Sequence, residues 1–359
     1  PTGAEFTLFF AVRNLLCVAL GTLSTTLALA NAVQISGAGA TFPARVYERW
    51  TQNFNQINAS VKVSYAPTGS GDGVKQATAR SVQFGGTDTP LNQGALAEKG
   101  LVQIPMLVGG LVPVVNLPGV GANKLVLNGE VLADIMLGKI TTWDDAKIAA
   151  LNRGVALPSK SIVRIVREDA SGSTEGFVRY LVDTSSAFKA VIPVSNKPSW
   201  PGKVVAAKGN DGVVAALKNT SGGITYVSYD RVLKDQLAAT RLVNPAGKSV
   251  SASEEGFKEA ILGSNVYLQG DDTASLLNSS RKDAWPMTLT SYVLLDVRPK
   301  DKAQANWSAH YVYWCFMHGD ELTRGTGFAP LPGKVQAKLV SRLLQIHGPD
   351  GEVPKFIQP

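Results

Sequence analysis

Ile162-Val163-Arg164-Ile165-Val166-Arg167-Glu168-Asp169-Ala170-Ser171-Gly172-Ser173-Thr174 is the stretch that decides the fold. The run from Ile162 to Arg167, rich in β-branched residues, reads as a strand. A Ser/Gly turn follows, and then a helix is predicted from Thr174 to Leu181. That order places helix N-terminal N–H groups at 171–174. Working outward, Val61-Lys62-Val63-Ser64-Tyr65 alternates as a strand does. Val74 to Arg80 follows a Gly-rich loop and reads as a helix. Leu107 to Asn116 is apolar and Val-rich, interrupted by Gly109, Gly110 and Pro113. It fits a buried strand passing between two domains. Glu130 to Leu137 reads as a helix stopped by Gly138, and Gly223–Val227 and Ser291–Leu295 as further strands. Strands alternating with helices mean α/β architecture.

The turn at 168–174 has three companions: Gly37-Ala38-Gly39-Ala40-Thr41-Phe42-Pro43, Thr68-Gly69-Ser70-Gly71-Asp72-Gly73 and Phe84-Gly85-Gly86-Thr87-Asp88-Thr89-Pro90-Leu91. Segments rich in Gly, Ser and Thr expose backbone N–H groups and hydroxyls, and ahead of a helix they make anion sites. Arg167 adds a planar fork suited to a tetrahedral oxyanion. Asp88 and Asp169 are odd company for an anion. An acidic acceptor is tolerable only if the ligand keeps a proton to donate. Phosphate does near neutrality and sulfate does not.

The chain has 359 residues, 45% of them apolar and 18% charged, enough for two domains. Arg13 precedes an apolar run from Leu15 to Leu29 that ends in Ala30-Asn31-Ala32. A basic residue, a short apolar run and a small-x-small end predict a secretory signal over 1–32, with Pro1–Phe6 read as an appended scar. The competing transmembrane anchor is disfavoured by the run's shortness and its Thr, Ser and Gly content. Cys17 falls in the leader without a lipoprotein pattern, and Cys315 sits in a run that reads as a buried helix. The net charge of +7 comes from scattered basic residues, which argues against nucleic-acid binding. His310, His318 and His347 lie far from the four segments and make no metal spacing. The sequence holds neither a G-x-x-x-x-G-K-[ST] loop nor a G-x-S-x-G elbow. No catalytic residue, metal site or cofactor is therefore expected.

The order of these pieces resembles the periplasmic phosphate-binding protein of bacterial phosphate ABC transporters, the PstS family. The resemblance runs through GAGATFPA at 37–44, GSGDGVKQ at 69–76, FGGTDTPL at 84–91, QIPMLVGGLVPVVNLPG at 103–119 and REDASGST at 167–174. It continues through GGITYVSY at 222–229, WPMTLTSYVLL at 285–295 and FAPLP at 328–332, covering nearly the whole chain from residue 35. Singly, each Gly/Ser/Thr segment reads as a turn or cap, and Arg167 with Asp169 as a surface ion pair. Four segments in family order read as a site.

The resemblance implies a bilobed α/β fold of the periplasmic-binding-protein type II, or Venus-flytrap, class with a two-strand hinge. It places lobe I at 33–115 and 290–359 and lobe II at 116–289, with crossovers near 113–117 and 288–293. It implies that Thr41, Phe42 and Ser70 donate to phosphate and that Asp88 accepts its proton. Arg167, oriented by Asp169, supplies the charge-assisted contact, and Ser171, Gly172 and Ser173 supply helix N-terminal donors. Ser173 stands where Thr is common in the family, and Ala170 where Gly is usual. Implied partners are hydrogen phosphate and the membrane subunits of an importer, with a periplasmic location. A secreted phosphatase and a surface adhesive protein are the alternatives carried forward.

Overall fold

A computed structural model describes residues 32–357; apart from Ala32, the expected leader and Cys17 lie outside the described residues. The strands are β1 (Val33–Gly39), β2 (Val61–Pro67), β3 (Phe84–Thr87), β4 (Leu101–Asn116), β5 (Val126–Leu127), β6 (Val163–Arg167) and β7 (Val205–Ala207). They continue as β8 (Gly223–Ser228), β9 (Ala238–Ala239), β10 (Arg241–Val243), β11 (Ser249–Val250), β12 (Thr288–Asp296) and β13 (Phe328–Pro330). One continuous sheet runs β2-β1-β3-β12-β4-β8-β6-β7, with β13 and β9 also paired to β4. A small second sheet runs β11-β10-β5.

The composition of each strand matches its place. β2 buries Val61 and Val63 and exposes Lys62 and Ser64, the alternation of an edge strand with one face in water. β4 is buried throughout except at Asn116, as a strand covered on both faces must be. It serves both halves of the sheet. Leu101–Gly110 pairs with β12, with β13 on Leu107–Gly109, while Leu111–Asn116 pairs with β8 and β9. The changeover falls at Gly109 and Gly110. A Cβ on Gly110 would lie 2.2 Å from the Phe257 ring, and one on Gly109 would lie 2.5 Å from the Phe328 ring. Glycine lets two aromatic side chains close over the strand at that point. The returning chain lies beside it: Leu111 donates to the Met287 carbonyl at 2.8 Å, and Trp285 Nε1 donates to the Leu111 carbonyl at 2.9 Å.

Each half has its own aromatic packing. On one side Phe54 is ringed by Trp307, His310, Tyr311 and Trp314. On the other Phe177 stacks on Tyr226 with centroids 4.2 Å apart. Cys315 is buried in the helix Lys302–Thr323, as its apolar run predicts. The helix after the second Gly-rich segment opens at Ser70, four residues ahead of the predicted start. Its first residues are Ser-Gly-Asp-Gly, poor helix formers that propensity assigns to the loop. The helix after β6 spans Gly172–Thr184, with Ser171 as its N-cap accepting from Thr174 N.

Candidate functional site

The four Gly/Ser/Thr segments converge where the two halves of the sheet meet. Thr41 and Phe42 follow β1, Ser70 opens its helix, Asp88 follows β3, Arg167 ends β6, and Asp169 to Ser173 follow it. Ser70 and Asp88 are joined directly. Ser70 Oγ donates to Asp88 Oδ2 at 3.3 Å, and Asp88 N donates to Ser70 Oγ at 3.2 Å. The N-terminus of the helix Gly172–Thr184 presses against this pair. A Cβ on Gly172 would stand 2.5 Å from Ser70 Oγ and 2.8 Å from Asp88 Cβ, so only glycine permits the approach. Gly71 N donates to the Ala170 carbonyl at 3.0 Å, again between the halves.

Arg167 is buried and held by Asp169. Its Nε donates to Asp169 Oδ1 at 2.7 Å, and its Nη2 donates to Oδ2. Asp169 also accepts from Gly209 N at 2.9 Å. Burial alone would raise the Asp169 pKa, but the hydrogen bond and charge of Arg167 prevail and hold it below the usual carboxylate value. Asp88 is the opposite case. Burial pushes its pKa up to about 7, against the lowering effects of a Ser291 hydrogen bond, the Arg167 charge and the Ser70 hydrogen bond. The Thr41 Oγ1 and Ser173 Oγ atoms are buried and have no hydrogen-bond partner within the protein. Buried hydroxyls are rarely left so. The Phe42 ring faces the core, 5.0 Å from Phe328, which leaves only its backbone for a ligand. Ser171 Oγ is used in capping its own helix at Thr174 N, 3.2 Å away.

Two residues outside the predicted set belong to this cluster. Ser291 on β12 donates to Asp88 Oδ1 at 2.9 Å. Asn210 is buried beside Arg167 and bridges the halves: its Nδ2 donates to the Thr41 carbonyl at 3.4 Å and to Ser228 Oγ at 3.3 Å. Ser291 shares its buried strand with Thr288 and Thr290, so nothing in the sequence singled its hydroxyl out. Lys208-Gly209-Asn210-Asp211-Gly212 carries only a turn signal. A cleft of about 550 Å³, lined by Thr41, Tyr65, Lys208 and Asn210 among others, opens beside the cluster. The Arg45–Asp230 ion pair, 3.6 Å long, spans it. A larger cavity of about 650 Å³ near Arg298 and Gln304 contains none of the four segments. Among the described residues no group of three or more His, Cys, Asp and Glu could hold a metal ion.

Two α/β halves sharing a central strand, with a buried polar cluster at their seam, define a solute-binding protein of the bilobed type II class. A model of the PBP superfamily domain matches residues 25–316. The phosphate-binding protein PstS of Xylella fastidiosa (strain Temecula1) is 37% identical over 300 residues, 84% of this chain and 82% of that protein. The phosphate-binding protein PstS of Pasteurella multocida is 36% identical over 335 residues, 93% of this chain and 97% of that protein. The solved structure of PfluDING, a high-affinity periplasmic phosphate-binding protein with bound phosphate, superposes with a TM-score of 0.71 at 21% identity, covering 90% of this chain and 97% of that one. The chain belongs to the PstS family of the PBP superfamily. These relatives are named as binding proteins, not enzymes, and give no support to the phosphatase or adhesive alternatives.

Proposed function

We propose that the chain binds one inorganic phosphate ion between its two lobes and delivers it to the membrane subunits of an ABC-type phosphate importer. The observation that carries this reading is the charge arrangement at the seam. The Arg167 charge is matched by Asp169, and Asp88 is buried next to donors with no anion-neutralising cation of its own. A fully ionised anion in that space would meet an ionised carboxylate, a costly burial of like charges. A hydrogen phosphate ion instead donates its proton to Asp88. Thr41 Oγ1, the Phe42 backbone, Ser70, Arg167, Gly172 N and Ser173 Oγ supply the remaining donors, with Ser171 ordering the helix start.

The lobes are taken as 33–115 with 290–359, and 116–289, so that donors come from both and closure completes the shell. Export to the periplasm accords with the apolar run at Leu15–Leu29 and with the periplasmic relative. No helix among the described residues is long and apolar enough to cross a membrane. Calorimetry of phosphate-stripped protein tests the reading. Saturable 1:1 heat with phosphate and little with sulfate is expected; absence of heat with phosphate at micromolar protein overturns it.

A further inference from the structure

Asp88 is gripped by two serines from separate elements, and only one of them lies in the four Gly/Ser/Thr segments. Ser291 comes from β12, the strand by which the chain returns from the second half of the sheet. The β3–β12 ladder ends at Thr87 paired with Tyr292, so Ser291 is the next residue along and stands opposite Asp88. On the other edge of β12 the pairing slips at this place. Ser291 pairs with Leu107 and Tyr292 with Pro105, leaving Met106 as the extra residue of a bulge. Bulges re-aim the side chains beside them. Ser291 is fully buried, and its hydroxyl donates to Asp88 Oδ1 at 2.9 Å. The Tyr47 phenol lies beside Ser291 and has no partner within hydrogen-bond geometry. Turned toward Ser291 Oγ as a donor, it leaves the serine's own proton for Asp88.

We propose that Ser291 is the positioning residue that keeps Asp88 a proton acceptor, and that it thereby sets the preference for an oxyanion carrying a proton over a fully ionised one. The proposal rests on the phosphate reading above. A hydrogen bond donated to a carboxylate favours its charged form, while burial favours the neutral acid. The groups facing Asp88 are few. Arg167 from β6 is the cation, Ser70 is the other hydroxyl, and Tyr47, Tyr65 and Tyr292 are phenols whose pKa values burial drives up, so they stay neutral near pH 7. Without Ser291, Arg167 and Ser70 alone oppose burial, and Asp88 keeps its proton at neutral pH. A protonated Asp88 offers a donor, which a fully ionised tetrahedral anion can accept.

The test uses the full chain with Ser291→Ala and Ser291→Thr, each checked for fold by circular dichroism. The Asp88 carboxyl is titrated by carbon-13 NMR without ligand, and inorganic phosphate and sulfate are titrated calorimetrically from pH 6 to 8.5. In Ser291→Ala the Asp88 midpoint is expected to rise by about one pH unit, the worth of one hydrogen bond to a charged group. Phosphate affinity at pH 7 falls about fivefold as the ionised share of Asp88 drops, sulfate affinity rises by a similar factor at about pH 8 and less at pH 7, and Ser291→Thr stays near the unaltered protein. An unchanged Asp88 midpoint in Ser291→Ala overturns the proposal. Equal weakening in both variants with parallel pH profiles overturns it too, since that is the signature of lost packing alone. If the unaltered protein binds neither anion, the phosphate reading falls, and the carboxyl midpoint still decides whether Ser291 holds Asp88 ionised.

Discussion

At the scale of single residues, the proposed site assigns the choice of anion to Asp88 and Arg167. Asp88 has a folded-state pKa of about 7 against an ordinary 3.8. Between those values the folded protein holds the proton more tightly than the unfolded chain does. The stability from this group is complete at low pH and is lost as pH rises from about 4 toward 7. Asp88→Asn removes the loss. In phosphate-free buffer the melting temperature of the variant relative to the unaltered protein is expected to climb between about pH 4 and 7 and to level off above. A pH-independent difference would show that Asp88 ionises normally. The same variant, having lost its negative charge, is expected to admit sulfate in a competition titration. Arg167 is buried with Asp169, and removing it leaves that carboxylate without its main partner. Arg167→Ala is expected to weaken phosphate binding by roughly 2–5 kcal/mol, the usual cost of breaking a desolvated charge pair. Unchanged affinity by calorimetry would make the fourth segment a mere turn.

At the scale of elements, the helix Gly172–Thr184 must bring its first turn against Ser70 and Asp88, and the missing side chain at Gly172 is what allows it. Gly172→Ala puts a methyl group 2.5 Å from Ser70 Oγ, which the cleft can relieve by opening. The expected result is phosphate binding weakened at least tenfold, with circular dichroism and the ligand-free melting temperature little changed. Equal affinity would mean that the seam yields without opening. Much of this arrangement was legible in the chain. β6 and its capped helix follow from the β-branched run and Ser171, and Ser70, Asp88 and Arg167 stand inside compositionally distinctive segments. Ser291 and Asn210 were not legible, because their roles depend on what lies opposite them. The contact of Ser291 with Asp88 follows from strand register and a bulge, across 203 positions of sequence. Asn210 meets Thr41 across 169. Local pattern carries no information on either pairing, and the early start of the helix at Ser70 was hidden by its glycines.

At the scale of the molecule, contacts between the halves run through Gly71 with Ala170, Asn210 with Thr41, and Arg45 with Asp230. Opening the cleft must break all of them, and an anion bound as proposed, between Arg167 and Asp88, would oppose it. Phosphate is therefore expected to reduce the radius of gyration of stripped protein in solution scattering and to raise its melting temperature, since ligand binds only the folded state. An unchanged scattering profile with a fluorophore pair across the cleft also unmoved would remove the clamp mechanism. The shared strand β4 has a further consequence, for anyone who cuts the gene. Neither half owns a complete sheet: each needs part of Leu101–Asn116, and a fragment ending near Gly110 would present a long, Val- and Leu-rich edge with unpaired N–H and C=O groups, a template for aggregation. A biosensor that must be split or interrupted is better opened at the exposed turn Pro245–Lys248 between β10 and β11, where the backbone crosses no seam and a Cβ on Gly247 would meet nothing within 4 Å.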